Sequence, residues 1–174
     1  MKGRPPRIGV VGGRDAEASL LAAAEDIGRE LAERGAIVVC GGMGGIMEAA
    51  ARGCVRAGGI VVGILPTESA ADANAHVTIP VVTGMNEGRN IIVVRTSEAL
   101  IAIGGSYGTL SEIALALRLN VPVFGLNTWG LRQPGSAAAE PALTCVESAQ
   151  EAVERAWQVV QANRLPERRA KRQQ

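Results

Sequence analysis

The chain has 174 residues, enough for one domain with a buried core and too few for two ordinary ones. Hydrophobic residues make up 47% and aromatics only 2%, so Ala, Val, Ile and Leu must fill the core between close backbone approaches, a composition that favours helices covering a parallel sheet. The formal net charge is +1 and the basic residues are scattered except at the C-terminal end, which excludes a long electrostatic track for nucleic acid, and no segment approaches the ~20 apolar residues of a membrane span.

Arg7-Ile8-Gly9-Val10-Val11-Gly12 reads as a strand that ends in glycine. Leu20, Leu21, Ala24, Ile27 and Leu31 then recur at helical spacing across 15–34, and Gly35 stops that helix. Residues 36–40 form an uninterrupted apolar strand of the kind buried on both faces, which completes a βαβ unit. Gly41-Gly42-Met43-Gly44-Gly45 leads into a helix over 46–57, and Gly58-Gly59 into a strand over 60–65. Residues 67–78 are polar, alanine-rich and aperiodic, a loop over the mouth of the site. A short edge strand is expected at 79–82, and a helix over 86–97 in spite of the β-branched run Ile91-Ile92-Val93-Val94. A buried strand over 98–103, a loop from Gly104 to Tyr107, an apolar helix over 109–119 and a strand over 121–126 follow. The sequence loosens through Pro134-Gly135-Ser136 and Pro141, then resumes with a final helix over 148–161. The alternation predicts a single Rossmann-like α/β domain over 1–163, a doubly wound, mostly parallel sheet flanked by helices, with ligands held at the C-terminal edge of the strands. Residues 164–174 are basic with little to bury, and are expected to be a disordered tail.

Two glycine clusters, Gly41 to Gly45 and Gly104-Gly105-Ser106-Tyr107-Gly108-Thr109, each stand between a buried strand and a helix start, so both open onto one sheet edge. Glycine lets backbone N–H groups approach an anion, and a helix N-terminus adds about half a positive charge. Gly12 and Gly13 contribute more weakly from the first strand. The expected ligand-binding set is thus Gly12, Gly13, Gly41, Gly42, Met43, Gly44, Gly45, Gly105, Ser106, Tyr107, Gly108 and Thr109, joined by Arg89, Asn90 and Glu112.

The only lysines are Lys2 and Lys171, so neither a P-loop lysine nor a Schiff base with pyridoxal phosphate is available. Gly12-Gly13-Arg14-Asp15 lacks the glycine spacing of a nicotinamide dehydrogenase. Cys40, Cys54 and Cys145 are far apart and odd in number, matching neither a zinc site nor a disulfide framework, which points to a reduced cytoplasmic setting. The basic start does not read as a signal peptide, because the apolar run after it breaks at Gly12-Gly13. A lone His76 in the 67–78 loop reads as a solvated histidine, so no metal site and no serine-histidine triad are expected.

Charges near the glycine loops are Arg14, Glu48, Glu87, Arg89 and Glu112. Glu112 lies one helical turn after Thr109, where it can serve as an acid, a base or a ribose hydroxyl acceptor, or simply complement the helix dipole. Arg89 offers a guanidinium to a phosphate or carboxylate, or pairs with Glu87 or Glu112.

Gly45-Ile46-Met47-Glu48, the stretch from Met85 to Arg89, and Tyr107-Gly108-Thr109-Leu110-Ser111-Glu112 resemble the LONELY GUY (LOG) family of Rossmann-like proteins, once labelled lysine decarboxylases. The resemblance runs from the first strand to about Leu126, and Thr83-Gly84-Met85 and Arg89-Asn90 are most similar to its molybdenum-cofactor carrier branch. It implies one of two activities. The carrier branch binds a phosphorylated cofactor, while LOG enzymes cleave the N-glycosidic bond of nucleoside 5′-monophosphates, with an arginine and a glutamate at the positions of Arg89 and Glu112. The family's Pro-Gly-Gly-x-Gly-Thr-x-Glu-Glu loop is altered here, with Gly104 for proline, Ser106 for a glycine and Ser111 for the first glutamate. Glycoside cleavage usually employs two carboxylates, so these changes weigh toward binding. The leading expectation is a carrier-like protein that needs no cofactor for catalysis and holds a molybdenum cofactor or a nucleoside monophosphate. The alternative is a phosphoribohydrolase with Arg89 and Glu112 as catalytic residues. The apolar helices over 86–97 and 109–119 offer more surface than one sheet face covers, so a homo-oligomer, a dimer or tetramer, is expected.

Overall fold

The structure, a computed structural model, describes residues 4–170. Strands and helices alternate: β1 (Arg7–Gly12), α1 (Ala18–Glu33), β2 (Ile37–Cys40), α2 (Ile46–Arg56), β3 (Ile60–Leu65), β4 (Ile79–Val82), α3 (Asn90–Thr96), β5 (Ala99–Ile103), α4 (Tyr107–Arg118), β6 (Val123–Leu126), β7 (Leu143–Val146) and α5 (Ala149–Ala170). The seven strands form one sheet in the order β4-β3-β2-β1-β5-β6-β7, and every pairing is parallel.

This is the expected α/β, Rossmann-like fold, and its topology sets where a candidate site can lie. The chain builds outward from β1 to β4 in one direction, then returns to lay β5 on the other side of β1. The strand order reverses between β1 and β5, and crevices outside the C-terminal ends of such strands are where open α/β sheets bind ligands. The register runs from Ile8↔Ala99 to Gly12↔Ile103, so the loop after Gly12 and the loop after Ile103 emerge side by side.

Alternate strand residues point to opposite faces and build two cores. Ile8, Val10, Val38, Ile101 and Ile103 pack with Ala24, Ile27 and Leu31 of α1, Ala50 and Cys54 of α2 and Ala152, Val153 and Ala156 of α5. Val11, Val39, Leu100 and Ala102 pack instead with Val93 and Val94 of α3 and Ile113 and Ala116 of α4. Burial also explains why the β-branched run at Ile91 to Val94 is helical: Val93 and Val94 are fully buried, and the hydroxyls of Thr96 and Ser97 donate back to Ile92 O and Val93 O at 2.7 and 2.8 Å.

Three features differ from the sequence reading. β7 lies where only loosened chain was expected, because it is an edge strand of four residues with just Leu143 and Val146 buried, too short for periodicity to register. The 67–78 loop carries a 3-10 turn, Ala70–Asp72, whose Ala71 N–H donates to the Ser69 hydroxyl. α5 continues through Ala170, well past residue 161. Arg164, the first residue of the expected tail, lies inside that helix and is held by Glu98, with Nε to Oε1 at 2.7 Å, and by the carbonyl of Pro5 at 3.0 Å. Positions 171–174 of the expected tail lie outside the described residues. No helix among the described residues is long and apolar enough to cross a membrane.

Candidate functional site

At the C-terminal edge of β1 and β5 lies a cavity of about 480 Å³. Eight residues expected to bind ligand line it: Gly12, Gly13, Arg89, Asn90, Ser106, Gly108, Thr109 and Glu112. The chain carries them there from three separate segments: the end of β1 with the turn after it, the turn into α3, and the first two turns of α4. α4 begins at Tyr107, and its N-cap Ser106 makes no side-chain capping bond, so the helix brings an uncapped N-terminus to the cavity wall.

The first glycine cluster has a different place. Gly41, Gly42, Met43, Gly44 and Gly45 do not line the cavity; they shape what stands behind it. A Cβ on Gly41 would collide with the guanidinium of Arg89, so this bare backbone is the seat that lets Arg89 lie flat at the base of the site. Gly45 takes φ +69 at the N-cap of α2, pressed on the carbonyls of Gly13 and Arg14. Asn74 ties the cluster down, its Nδ2 donating to Met43 O and its N–H to Gly42 O, each at 2.9 Å. Gly105 and Tyr107 also stand outside the wall, against Trp129. Glu48 stands by Gly44.

Arg89 closes a short 3-10 turn, Asn86–Arg89, fixed to the end of β3 by Gly84 N–H to Thr67 O and Asn86 N–H to Pro66 O, each at 3.0 Å. Its residue is only 8% exposed. Nη1 lies 3.6 Å from Glu112 Oε1, an ion pair without a hydrogen bond, and among the described residues neither Nε nor Nη1 has a hydrogen-bond partner. The hydroxyl of Thr109, 2% exposed, is unpartnered too. Two residues that line one cavity thus hold three buried donors without acceptors, whereas nearly all buried polar groups in proteins are satisfied. Asn90 is already engaged: Nδ2 donates to Ser111 Oγ at 2.9 Å, and Ser111 in turn donates to Gly108 O at 2.7 Å. Ser111 therefore ties the start of α3 to α4.

Burial pushes the Glu112 carboxyl up to about 7, with the Arg89 guanidinium pulling the other way. Its pKa is higher in the folded chain than the ordinary 4.5, so the folded state keeps the proton longer. The resulting contribution to stability is full below about pH 4.5 and is lost as the pH rises through about 7. Urea unfolding of Glu112→Gln is expected to show a flatter pH dependence than the parent between about pH 5 and pH 8. An unaltered slope would mean that Glu112 titrates normally. Cys40, beneath the glycine cluster, is buried and its thiol is pushed up to about 11, so it acts as a small hydrophobe rather than a nucleophile.

Sequence reasoning missed four lining residues, Asp15, Met47, Pro66 and Asn86, and placed Arg14 and Glu87 only among nearby charges. Asp15 could have been found from its place two residues after Gly13, in a turn already assigned to the site. Met47 and Pro66 carry no such signal, since apolar lining looks like core. Among the described residues no group of three His, Cys, Asp or Glu side chains stands together to hold a metal.

The sequence profile of the SLOG cluster4 family (LDcluster4) matches residues 5–163. A probable cytokinin riboside 5′-monophosphate phosphoribohydrolase of Oryza sativa subsp. japonica is 36% identical over 103 residues, 56% of this chain but only 41% of that protein's length. Among solved structures, the molybdenum cofactor binding protein of Rippkaea orientalis matches with a TM-score of 0.80 at 31% identity, covering 90% of this chain and 98% of that one. The molybdenum cofactor carrier protein of Chlamydomonas reinhardtii matches with a TM-score of 0.79 at 32% identity and the same coverage.

Proposed function

The chain belongs to the SLOG cluster4 family, and we propose that it is a carrier-like protein that holds a phosphorylated, nucleotide-like small molecule in the cavity beside Arg89. The observation that carries this reading is the buried guanidinium with two idle donors, next to the idle Thr109 hydroxyl and the uncapped start of α4. Burying a charge without hydrogen bonds is costly, and a phosphate oxygen supplies the acceptors that Arg89 lacks. The cavity's volume lies in the range of about 300–1,000 Å³ usual for small-molecule sites. The likeness to molybdenum-cofactor proteins supports that cofactor as cargo, with Arg89, Thr109 and the amides of α4 meeting its phosphate. Calorimetric titration with molybdenum cofactor and with AMP is expected to give saturable binding of at least one. Binding of neither overturns the proposal.

A second reading, a nucleoside 5′-monophosphate phosphoribohydrolase, is favoured by one observation: a carboxyl that protonates near neutrality can give a proton to a departing base. Ser111 leaves the family's other glutamate position empty, but Asp15 and Glu87 line the same cavity and supply further carboxylates. Release of adenine from AMP that disappears in Glu112→Gln would establish turnover, while binding without release leaves the carrier. The shallow apolar surface between α3 and α4, around Ile91, Ala114 and Leu115, supports assembly into a homo-oligomer, and sedimentation as a monomer contradicts it.

A further inference from the structure

The chain has only four aromatic residues, two Trp, one Tyr and one Phe, and two of the four meet just outside the cavity wall, at the start of α4. Tyr107 and Trp129 stand with ring centroids 5.8 Å apart and planes inclined by 34°. Tyr107 is 81% exposed, the most exposed large hydrophobic side chain among the described residues. It is the first residue of α4, and its chain neighbours Ser106 and Gly108 both line the cavity.

Trp129 is fixed rather than free. Its indole N–H donates to Ser106 O at 3.3 Å, across 23 residues of sequence. Gly105 makes room for the ring, since a Cβ there would stand 2.8 Å from the indole nitrogen. The loop after β6 therefore presents one aromatic ring, anchored on the same turn whose amides start α4, and Tyr107 leans on it. An aromatic ring left this exposed at a helix start gains hydrophobic stabilisation only when something covers it, and a flat ring covers it face to face.

We propose that Tyr107, backed by Trp129, is a stacking platform for the flat heteroaromatic ring of the ligand, while the Arg89 end of the cavity takes its phosphate. This inference rests on the phosphate reading above and deepens it, for it selects ring-bearing phosphates over plain sugar phosphates. Stacking on one aromatic side chain raises affinity about 10-fold in sites that hold nucleotide bases, and it acts only on ligands that carry a base or pterin. The Tyr107 hydroxyl makes no hydrogen bond among the described residues and the ring is exposed, so removing it leaves the domain intact.

The test compares AMP with ribose 5-phosphate, by calorimetry, in the parent chain, Tyr107→Ala and Tyr107→Phe. Tyr107→Ala is expected to weaken AMP about 10-fold and leave ribose 5-phosphate unchanged, while Tyr107→Phe keeps the parent affinity for both. In a Trp157→Phe background, where Trp129 is the one remaining indole, AMP is expected to quench the fluorescence and ribose 5-phosphate not to. Equal effects of Tyr107→Ala on the two ligands, or no effect on either, overturn the platform while the phosphate site stands. If the parent chain binds neither ligand, the platform falls, and if it also fails to bind molybdenum cofactor, the phosphate reading falls with it.

Discussion

Arg89→Met is expected to weaken binding of AMP by about 100-fold or more, the range seen when one partner of a buried charged contact is removed, while leaving the fold within about 1 kcal/mol of the parent. The two halves of this result come from the same observation. Among the described residues Nε and Nη1 of Arg89 donate no hydrogen bond, and Nη1 meets Glu112 only as an ion pair at 3.6 Å, so the fold gains little from them, and burial of the guanidinium is a cost that methionine avoids. Nor does the substitution strand a charge. Arg89 is the group that lowers the pKa of Glu112, and without it the carboxyl moves higher still and stays neutral at pH 7. Arg89→Lys would fill the space with a single point charge and lacks the planar fork, so partial loss of affinity is expected. Calorimetry with AMP and urea unfolding of the same samples separate the two effects. A variant that unfolds several kcal/mol more easily yet binds AMP normally would make Arg89 a structural residue.

Gly28→Ala and Gly53→Ala are each expected to destabilise the chain by about 2–3 kcal/mol. The sign is the diagnostic part, because glycine to alanine inside a helix normally stabilises by about 1 kcal/mol. Here α1 and α2 cross with backbone on backbone. A Cβ on Gly28 would occupy the place of the Ala50 carbonyl, and a Cβ on Gly53 that of the Glu25 carbonyl. Neither obstacle is a flexible side-chain end, so one helix must move off the other. Glu25 marks the same crossing from outside, bridging Arg52 at 2.8 Å and also Arg56. The crossing positions the site as well, since Ile46 N–H at the head of α2 donates to Gly13 O at 3.1 Å. The two substitutions share one contact, so the double variant should lose less than their sum. Gly130→Ala, with open space around it, is the control and should be neutral in the same urea series.

Much of the candidate site was legible because its parts are local. A glycine turn between a buried strand and an apolar helix has to open at the sheet's C-terminal edge, where Gly12, Gly13, Ser106, Gly108 and Thr109 line the cavity. Arg89 and Glu112 stood out as charges in apolar surroundings. What the glycines at 41–45 do was not legible. Chain-local reasoning treats every such cluster as an anion cradle, whereas Gly41 is small so that a side chain 48 positions away can lie on it. The pairing of Tyr107 with Trp129 was equally hidden, for Trp129 follows β6 in a stretch without periodicity.

The alternation of apolar strands and amphipathic helices by itself determined the α/β fold, the parallel sheet and the edge at which its loops gather, since each follows from periods of two and 3.6 residues read along the chain. Only the tertiary structure decided which loops become the wall and which the support. That choice depends on the return of the chain from β4 to β5, which sets two distant turns side by side, and on the depth at which Arg89 is buried with its donors idle. Burial and strand order are properties of the packed sheet, and no single segment of sequence encodes them.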